Sequence, residues 1–512
     1  MDLANTQEIE LKLVVLGLSG HDALQRLRRS RTLSGRALTQ QWLVNRYVDT
    51  PERDLQRHRC ALRLRHIASS PPSADPSQPG VWIQTLKTAG LSAAGLSQRG
   101  EWESRVAGDA LSRDALQGTG WDALDPDDVW FAQLQPVFET HCLRTTWQVR
   151  RRDGTHIEVA LDDGTVVAAN RRAAFVELEL ELVHGQPEAL FALAQALAER
   201  VPCLPGQRSK AEQGQALWAN TLYDPIRAHP PQAARHEPLA ALAVRALHEM
   251  YDQFTGNLER LMHSDAPELV HQARVGWRRW RSLAKLLRPW LGDPLDLTPL
   301  KPLLKALGRQ RNLDVAHTQT LPLWAPAWPG SATLWQAGMT ALQTARDGQR
   351  VRLRAEVAST SVGLTLLHIA YTLWRLSQQP PQGLTQRHAY HRLARWHRRL
   401  LGLLDGGGSD WIDMAALHEA RLLAKQLRYG SEALGHALPA KRRRQTRAWL
   451  DDAMAWQTHI GESRDAWEAA ACLESLQVGP TMVGFLQGIG AAMDRATQQR
   501  AMDQRVKARR AP

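Results

Sequence analysis

Apolar and polar residues alternate along most of the first 220 residues, which predicts β-strands in this part of the chain. Successive side chains of a strand point to opposite faces, so this alternation is typical of a sheet with one buried face. The candidate strands span residues 8–16, 41–49, 59–66, 81–88, 98–106, 143–152, 155–162 and 174–183. Eight or so strands, mostly antiparallel, favour a barrel or a strongly curved sheet.

Two turn signals and one helix accompany these strands. Asp153-Gly154 lies between two candidate strands and predicts a hairpin turn. Asp163-Gly164 is a second turn signal. The Ala- and Leu-rich residues 187–200 predict a helix.

The pattern changes after a group of prolines, and residues 222–236 are a candidate linker. Beyond it, Leu, Ala and Arg recur at helical spacing, which favours stacked helical hairpins or bundles. Candidate helices span residues 238–263, 267–288, 300–318, 333–357, 361–378, 386–404, 410–435, 441–459 and 463–475. We therefore predict an α+β chain, with a strand-rich domain over residues 1–221 and an all-α domain over residues 237–505.

Charge and cysteine content narrow the class of protein. The chain has 64 Lys and Arg against 52 Asp and Glu, a formal net charge of +12, which indicates a polyanionic partner such as nucleic acid, an acidic membrane or polyphosphate. Its four cysteines form no CxxC pair, which argues against structural zinc and disulfides. No apolar run approaches the roughly 20 residues of a membrane span, and the N-terminus lacks a signal-peptide pattern. We expect a cytoplasmic protein without a membrane partner.

Several candidate strands carry charged side chains on one face. Glu8, Glu10 and Lys12 alternate with apolar residues, so two carboxylates and one ammonium group share a face. The same alternation occurs in Arg63/Arg65, Arg99/Glu101/Glu103, Arg150/Arg152, Glu158/Asp162 and Glu177/Glu179/Glu181. A solvated outer face is the simplest interpretation of any one strand. If these faces turn inward together, they form a lumen for a hard cation and an oligophosphate.

In order along the chain, these segments resemble the motifs of the CYTH domain, the triphosphate tunnel metalloenzymes. Glu8-Ile9-Glu10-Leu11-Lys12 is similar to the ExExK signature of that family. The later matches lie at residues 47–51, 61–65, 84–88, 99–103, 157–164, 177–181 and 209–212. The resemblance covers roughly residues 6–218.

The resemblance implies an antiparallel eight-stranded β tunnel or barrel with helices, which hydrolyses inorganic or organic triphosphates with Mg²⁺ or Mn²⁺. It implies metal binding by Glu8, Glu10, Glu177, Glu179 and Asp162. It implies phosphate binding by Lys12, Arg63, Arg65, Lys87, Arg150 and Lys210. It also implies that Glu177, Glu179 and Lys87 act in catalysis. Such a set is chemically reasonable, because cations offset the repulsion between a triphosphate and an attacking water.

Two helical segments of the second half repeat one spacing of basic residues. Residues at i, i+3, i+7 and i+10 share one stripe of a helix, so each segment presents a basic stripe. The stripes are His271, Arg274, Arg278 and Arg281, and His418, Arg421, Lys425 and Arg428. The repeat indicates two similar helical halves. A solvated basic face is the alternative, since runs of charge are usually solvated.

This half resembles the CHAD domain, the conserved-histidine α-helical domain, in both stripes and in residues 307–315 and 461–465. The resemblance covers roughly residues 236–500. It implies two helical bundles whose eight stripe residues bind inorganic polyphosphate. Binding of a flexible polyanion by spaced cations is weakened by salt.

The function predicted from these features is hydrolysis of inorganic triphosphate to pyrophosphate and phosphate, with polyphosphate bound by the helical domain. A protein that binds or localises to polyphosphate without turnover is an alternative. An organic triphosphatase acting on thiamine triphosphate, or a CYTH-type adenylate cyclase, is another, although no sequence feature marks a base or pyrimidine pocket. Nucleic acid is not the expected partner, because the chain lacks a stacking motif of the RNP type.

Overall fold

The computed structural model describes residues 6–71, 80–229, 231, 234, 237–292, 295–405 and 414–510. The chain divides into two compact units. The first comprises Met1–Asp224, Met262–Ser264 and Val357–Trp374, and the second Pro225–Leu261, Asp265–Glu356 and Arg375–Pro512. The predicted domain bounds at residues 221 and 237 stay a prediction, and residues 230, 232–233 and 235–236 of the predicted linker lie outside the described residues.

The first unit is built on a sheet of ten strands. They are β1 (Thr6–Val15), β2 (Leu38–Asp49), β3 (Ala61–Ala68), β4 (Val81–Lys87), β5 (Leu91–Ala93), β6 (Leu96–Val106), β7 (Gln135–Arg150), β8 (His156–Ala168), β9 (Arg171–His184) and β10 (Cys203–Pro205). The antiparallel order β1-β9-β8-β7-β2-β3-β4-β6 closes when β6 pairs with β1, so eight strands form a barrel. The predicted eight-stranded antiparallel barrel is confirmed. The short strands β5 and β10, which the alternation does not predict, pair with β6 and β1.

Five α-helices of the described residues lie between these strands or directly after them. They are α1 (Gly20–Arg28), α2 (Asp54–Arg57), α3 (Trp121–Leu124), α4 (Glu188–Ala198) and α5 (Lys210–Trp218). The predicted helix at 187–200 is confirmed as α4. Helix α5 begins at a capping box, in which the Ser209 hydroxyl accepts from the Glu212 amide and the Glu212 carboxylate accepts from Ser209. This cap fixes the position of Lys210, the first residue of the helix.

One predicted turn is wrong. Asp163 and Gly164 lie within β8, which continues through them, and Gly164 pairs with Cys142 on one side and Phe175 on the other. A Cβ at Gly164 would lie 2.4 Å from the Cys142 Cβ and from the His141 carbonyl oxygen. The glycine therefore permits close approach of two strands, and it does not turn the chain. The other predicted turn is confirmed, since Gly154 has φ +87° in the β7–β8 hairpin.

The second part of the chain is mostly helical, as predicted. Its helices are α6 (Leu239–Leu261), α7 (Pro267–Leu287), α8 (Lys301–Val315), α9 (Leu321–Trp324), α10 (Ala332–Val357), α11 (Thr360–Gln378), α12 (Gln386–Asp405), α13 (Met414–Leu434), α14 (Ala440–Ser475) and α15 (Pro480–Arg510). Within the second unit, one apolar core joins α8, α10, α14 and α15 through Leu313, Leu342, Leu473 and Leu486. The predicted division into two bundles stays a prediction.

Most of α11 belongs to the first unit, where it packs on α4. The Phe191 ring lies 5.4 Å from the ring of Tyr371 and 5.6 Å from that of Trp374. Of the described helices, no single one is long and apolar enough to cross a bilayer. The bent pair α10 and α11 passes that test of length and composition when the two are taken together.

Candidate functional site

A cavity of about 1180 Å³ occupies the interior of the barrel, and its wall is dominated by charged side chains. They include Glu8, Glu10, Lys12, Arg63, Arg65, Lys87, Arg99, Glu101, Glu103, Arg144, Glu158, Glu179, Glu181 and Lys210. The apolar residues that alternate with them, such as Leu11, Leu13 and Leu64, are buried. These charged side chains therefore turn inward, and the solvated interpretation is wrong for them.

One side of the cavity is acidic, and its carboxylates are held by two cations. The Lys87 ammonium nitrogen lies 3.0 Å from Glu8 Oε1 and 2.9 Å from Glu101. Arg99 Nε donates to Glu8 Oε2 at 3.0 Å. Although burial opposes it, these two cations hold the pKa of Glu8 well below its usual range. Glu8 is thus a carboxylate at neutral pH.

Two other carboxylates of this side are crowded by like charge. Burial and the neighbouring Glu179 raise the pKa of Glu10 to about 7. Burial, Glu8 and Glu101 raise the pKa of Glu181 to about 7. A bound cation would relieve this repulsion, and carboxylate oxygens are the ligands that Mg²⁺ and Mn²⁺ prefer. The donor chemistry of this wall therefore fits a hard divalent cation.

The five carboxylates predicted to bind metal do not converge in one group. Among the described residues, no three His, Cys, Asp or Glu side chains lie close enough together to hold a metal ion. The reason is that lysines and arginines lie between them: Arg99 next to Glu10, and Lys12 between Glu10 and Glu179. Glu177 and Asp162 are fully buried behind the wall.

The part of the wall around Lys210 and Arg144, the basic side, is supported from behind by those buried carboxylates. The Lys210 ammonium lies 2.8 Å from Asp162, 3.1 Å from Glu177 and 2.6 Å from Glu179. Arg144 donates to both Asp162 and Glu179. Despite burial, these neighbours raise the pKa of Lys210 well above its usual range and hold that of Glu179 well below it. The cations are therefore permanently charged and held in fixed positions.

Arg65 differs from these cations because it has little opposing charge. Its nearest carboxylate oxygen, on Glu103, is 3.8 Å away, and its Nε donates to the neutral Asn45 at 2.8 Å. Burial, with Arg63 and Arg144 nearby, lowers the pKa of Arg65 to about 10. Guanidinium groups crowded in this way favour an anion with several oxygens, such as a phosphate.

The structure places the predicted phosphate ligands unequally. Lys12, Arg63, Arg65, Lys87 and Lys210 line the cavity, whereas Arg150 is exposed and does not. Arg144, which the sequence analysis missed, lines it instead and stands opposite Asp162 in the β7–β8 register. Arg144 and Arg150 lie on the same face of β7, but six residues, or roughly 20 Å, separate them. The strand continues beyond the cavity, so alternation alone does not distinguish them.

A second charged cluster lies in the helical unit, where the predicted stripes of α7 and α13 come together. Burial and the surrounding cations Arg278, Arg421, Arg464 and Arg274 lower the pKa of Lys425 to about 7. Burial, Arg278 and Arg311 lower the pKa of Arg274 to about 10. Cations crowded in this way repel one another, and a bound anion would relieve that repulsion.

The other four stripe residues differ from Arg274, Arg278, Arg421 and Lys425. Arg281 is exposed, and Arg428 pairs with Glu432 at 2.8 Å. Burial and Arg311 lower the pKa of His271 to about 4, so it is neutral at pH 7. The side chain of His418 lies outside the described residues. Arg311 and Arg464 join the cluster from α8 and α14, and both lie in the segments, residues 307–315 and 461–465, that resemble the CHAD domain.

Known protein families match both halves of this chain. The CYTH domain matches residues 6–214, and the CHAD domain matches residues 245–474. A curated relative, the inorganic triphosphatase of Haemophilus influenzae (strain Rd), is 29% identical over 212 residues, which cover 41% of this chain and 55% of the relative. The chain thus spans about half the length of that relative.

Solved structures resemble each half separately. The CHAD domain from the plant Ricinus communis is 23% identical, with a TM-score of 0.45, and the match covers 54% of this chain and 96% of that one. A putative adenylyl cyclase from Hippeastrum with a dominant triphosphatase activity is 18% identical, with a TM-score of 0.28. That match covers 41% of this chain and 95% of the other.

Proposed function

Because this chain carries a CYTH domain followed by a CHAD domain, we propose that it hydrolyses inorganic triphosphate to pyrophosphate and phosphate and binds polyphosphate through its helical unit. The observation that carries the proposal is the charged interior of the barrel, with a basic side and an acidic side around one cavity. The inorganic triphosphatase from Haemophilus influenzae supports the choice of substrate.

We assign the phosphates to the basic side of the cavity. Lys12, Arg63, Arg65, Arg144 and Lys210 line it, and all are buried or nearly so. A triphosphate at neutral pH carries several negative charges, which buried cations stabilise more strongly than water does. Because Asp162 and Glu177 lie behind these cations, the side chains are already positioned before substrate binds.

We assign the metal to the acidic side. Enzymes of the CYTH tunnel type generally depend on a divalent metal, and Mg²⁺ or Mn²⁺ suits a site of oxygen ligands. Glu8 and Glu10 line this part of the cavity and would hold it together with phosphate oxygens of the substrate, since Mg²⁺ is usually bound by one or two carboxylates plus phosphates. When bound, the metal neutralises phosphate charge and lowers the barrier to attack by water.

The reaction itself needs little covalent chemistry from the protein. Water attacks the terminal phosphorus, the bridging P–O bond breaks, and pyrophosphate leaves as the terminal group becomes phosphate. Glu179 is ionised at neutral pH and lines the cavity, so it is suited to orient the water by accepting a hydrogen bond. Lys87, between Glu8 and Glu101, supplies positive charge beside the acidic side.

A substrate panel tests this function. The full-length protein with Mg²⁺ or Mn²⁺ is expected to release phosphate from inorganic triphosphate at least about tenfold faster than from ATP, thiamine triphosphate or long polyphosphate, measured as kcat/KM. Preference for an organic triphosphate, or formation of cyclic AMP, would contradict it. Tight binding of polyphosphate with no turnover of any substrate would favour a protein that only binds.

The helical unit gives a pH-dependent prediction through Lys425. With a pKa of about 7, it gains its charge as pH falls from 8.5 to 6, so polyphosphate binding is expected to tighten and to take up a proton. In the protein without bound polyphosphate, the free energy of unfolding depends on pH in the opposite direction. The unfolded chain holds the Lys425 proton up to about pH 10, so the free energy of unfolding rises with pH between about 7 and 10.

Calorimetric titration of the full-length protein in buffers of different ionisation enthalpy measures this proton uptake. The variant Lys425→Met is expected to lose it and to bind with little pH dependence between 6 and 8.5. The matched variant Lys441→Met, at an exposed position of α14, keeps it. An unchanged proton uptake in Lys425→Met would contradict the assignment.

A further inference from the structure

Seven arginines at one end of the barrel are not explained by the cavity. The β7–β8 hairpin carries three of them, and the other four run from the end of α1 through the segment before β2. We call this group the arginine collar. It comprises Arg28, Arg29, Arg31, Arg36, Arg150, Arg151 and Arg152, all of them exposed.

The strand register places both parts of the collar at the same end of the barrel. Leu38, where β2 begins, pairs with Trp147, three residues before the end of β7 at Arg150. Arg36 joins the two segments, because its Nη1 donates to the Gln148 carbonyl oxygen at 3.4 Å. The collar is therefore one surface and not two separate loops.

Gln148 also connects the collar to the wall of the cavity. The Gln148 side chain donates from Nε2 to Glu158 Oε2 at 2.6 Å. Glu158 lines the cavity and lies two residues from the start of β8 at His156. One residue, Gln148, thus separates an arginine of the collar from a carboxylate of the cavity wall.

The collar is almost without opposing charge. No Asp or Glu occurs between residues 23 and 48, and Asp153 is the only one between residues 140 and 157. The Asp153 carboxylate accepts from the Thr155 amide at 2.9 Å. Among the residues that the structure describes, none of the seven guanidinium groups pairs with a carboxylate, whereas the basic side chains of the cavity wall do.

A purely structural role accounts for only part of this charge. Arg28 lies in the last turn of α1, where a cation is favoured by the helix dipole. Arg36 also donates from Nε to the Thr32 carbonyl oxygen at 2.7 Å and so orders its own loop. Neither reason applies to Arg31, Arg151 or Arg152. Cations that lie close together at a surface without anions repel one another, and a bound polyanion relieves that repulsion.

We infer that the arginine collar is a docking surface for the part of a linear polyphosphate chain that lies outside the tunnel. The inference rests on the proposed function, because the phosphate-binding cavity defines which chain reaches the collar. A triphosphate fits inside the cavity and leaves the collar empty. A longer chain with one end in the cavity extends past Glu158 and contacts the arginines, so the collar selects by chain length.

Inhibition of triphosphate hydrolysis by long polyphosphate tests this inference. In the full-length triple variant Arg31→Gln/Arg151→Gln/Arg152→Gln, kcat and KM for triphosphate are expected to stay unchanged, which also shows correct folding. The inhibition constant of a chain of about 50 phosphates is expected to rise by about 3- to 30-fold, from three exposed charge contacts. Its salt dependence, log Ki against log salt, is expected to fall by about 2 in slope.

The matched control removes three exposed arginines of the same unit at other positions, Arg171→Gln/Arg172→Gln/Arg200→Gln. An equal rise in the inhibition constant there would overturn the inference, as a general effect of net charge. So would an unchanged constant in the collar variant. A collar variant that loses affinity only for single-stranded DNA or anionic vesicles would assign the surface to another partner and overturn it as well.

A measurement independent of turnover separates this inference from the proposed function. Phenylglyoxal modifies exposed arginines, and mass spectrometry follows its rate at Arg151 and Arg152. Long polyphosphate is expected to slow modification there at least about threefold, while triphosphate leaves it unchanged. If the wild-type protein hydrolyses nothing but this protection is seen, the proposed function fails and the collar stands. Absence of protection overturns the collar alone.

Discussion

Replacing Lys210 by methionine is expected to abolish most turnover and to destabilise the barrel strongly. Lys210 is 7% exposed and lies within 3.1 Å of Asp162, Glu177 and Glu179. Methionine is similar in length to lysine but carries no charge, so Asp162, Glu177 and Glu179 are left short of positive charge. We expect a loss of about 3–5 kcal/mol in the free energy of unfolding, and of about 10²- to 10³-fold in kcat/KM for triphosphate.

The stability of the Lys210→Met variant should also depend on pH in a definite direction. Despite burial, Lys210 helps to hold the pKa values of Asp162 and Glu179 below their usual range, so its removal raises them. The folded variant then binds protons at higher pH than the folded wild-type protein does, so the stability deficit shrinks as pH is lowered. Urea unfolding between pH 7.5 and 5 measures this trend.

The control for this substitution is Lys301→Met, at an exposed position of α8. Its free energy of unfolding is expected to change by less than about 0.5 kcal/mol. A Lys210→Met protein as stable as this control would mean that the lysine does not hold the three carboxylates. Full activity in Lys210→Met would remove the basic side from the mechanism.

Replacing Arg65 by glutamine is expected to have opposite effects on activity and stability. This guanidinium group is buried beside Arg63 and Arg144 with little opposing charge, so the fold gains little from it. Substrate supplies the missing anion. We expect kcat/KM for triphosphate to fall by about 10²- to 10³-fold, while the free energy of unfolding stays level or rises by about 1 kcal/mol.

A neighbouring arginine on the outer side of the barrel serves as the control. Arg46 of β2 is 37% exposed in its side chain and pairs with Glu139. The variant Arg46→Gln is expected to keep activity within about twofold, because its charge does not reach the cavity. Thermal unfolding compares the stability of the two variants, and steady-state kinetics compares their kcat/KM for triphosphate. If Arg65→Gln loses several kcal/mol, then Arg65 is structural and its role in phosphate binding fails.

Sequence patterns predict which face of a strand a side chain occupies, but they do not predict its ion pairs. Alternation places the apolar and the charged residues of β1 on definite faces, and eight such strands predict a barrel. Alternation alone does not decide whether the charged faces turn inward or outward. Ion pairs depend on which strands become neighbours. Glu8 and Lys87 are 79 residues apart and meet only because β6 joins β1 to β4. Local spacing carries no information about such pairs.

Alternation also does not show how far along a strand the cavity extends. Arg144 and Arg150 share a face of β7, yet one lines the cavity and the other belongs to the collar beyond it. In the helical unit, the spacing predicts one basic stripe on each of α7 and α13, but Arg281 of the first is exposed and Arg428 of the second pairs with Glu432. Arg311 and Arg464 complete the cluster only through the packing of α8 and α14 beside the stripes, as in the contact of Asn312 with Glu468 at 2.6 Å.

Phosphate release from inorganic triphosphate by the full-length protein, measured with Mg²⁺, with Mn²⁺ and with EDTA, tests the proposed triphosphatase most directly. We expect turnover with one or both metals, none with EDTA, and a loss of at least about 10²-fold in Glu8→Gln and Glu10→Gln. Turnover that survives EDTA and both substitutions would contradict the assigned metal side. Absence of turnover in every condition would contradict the proposed triphosphatase.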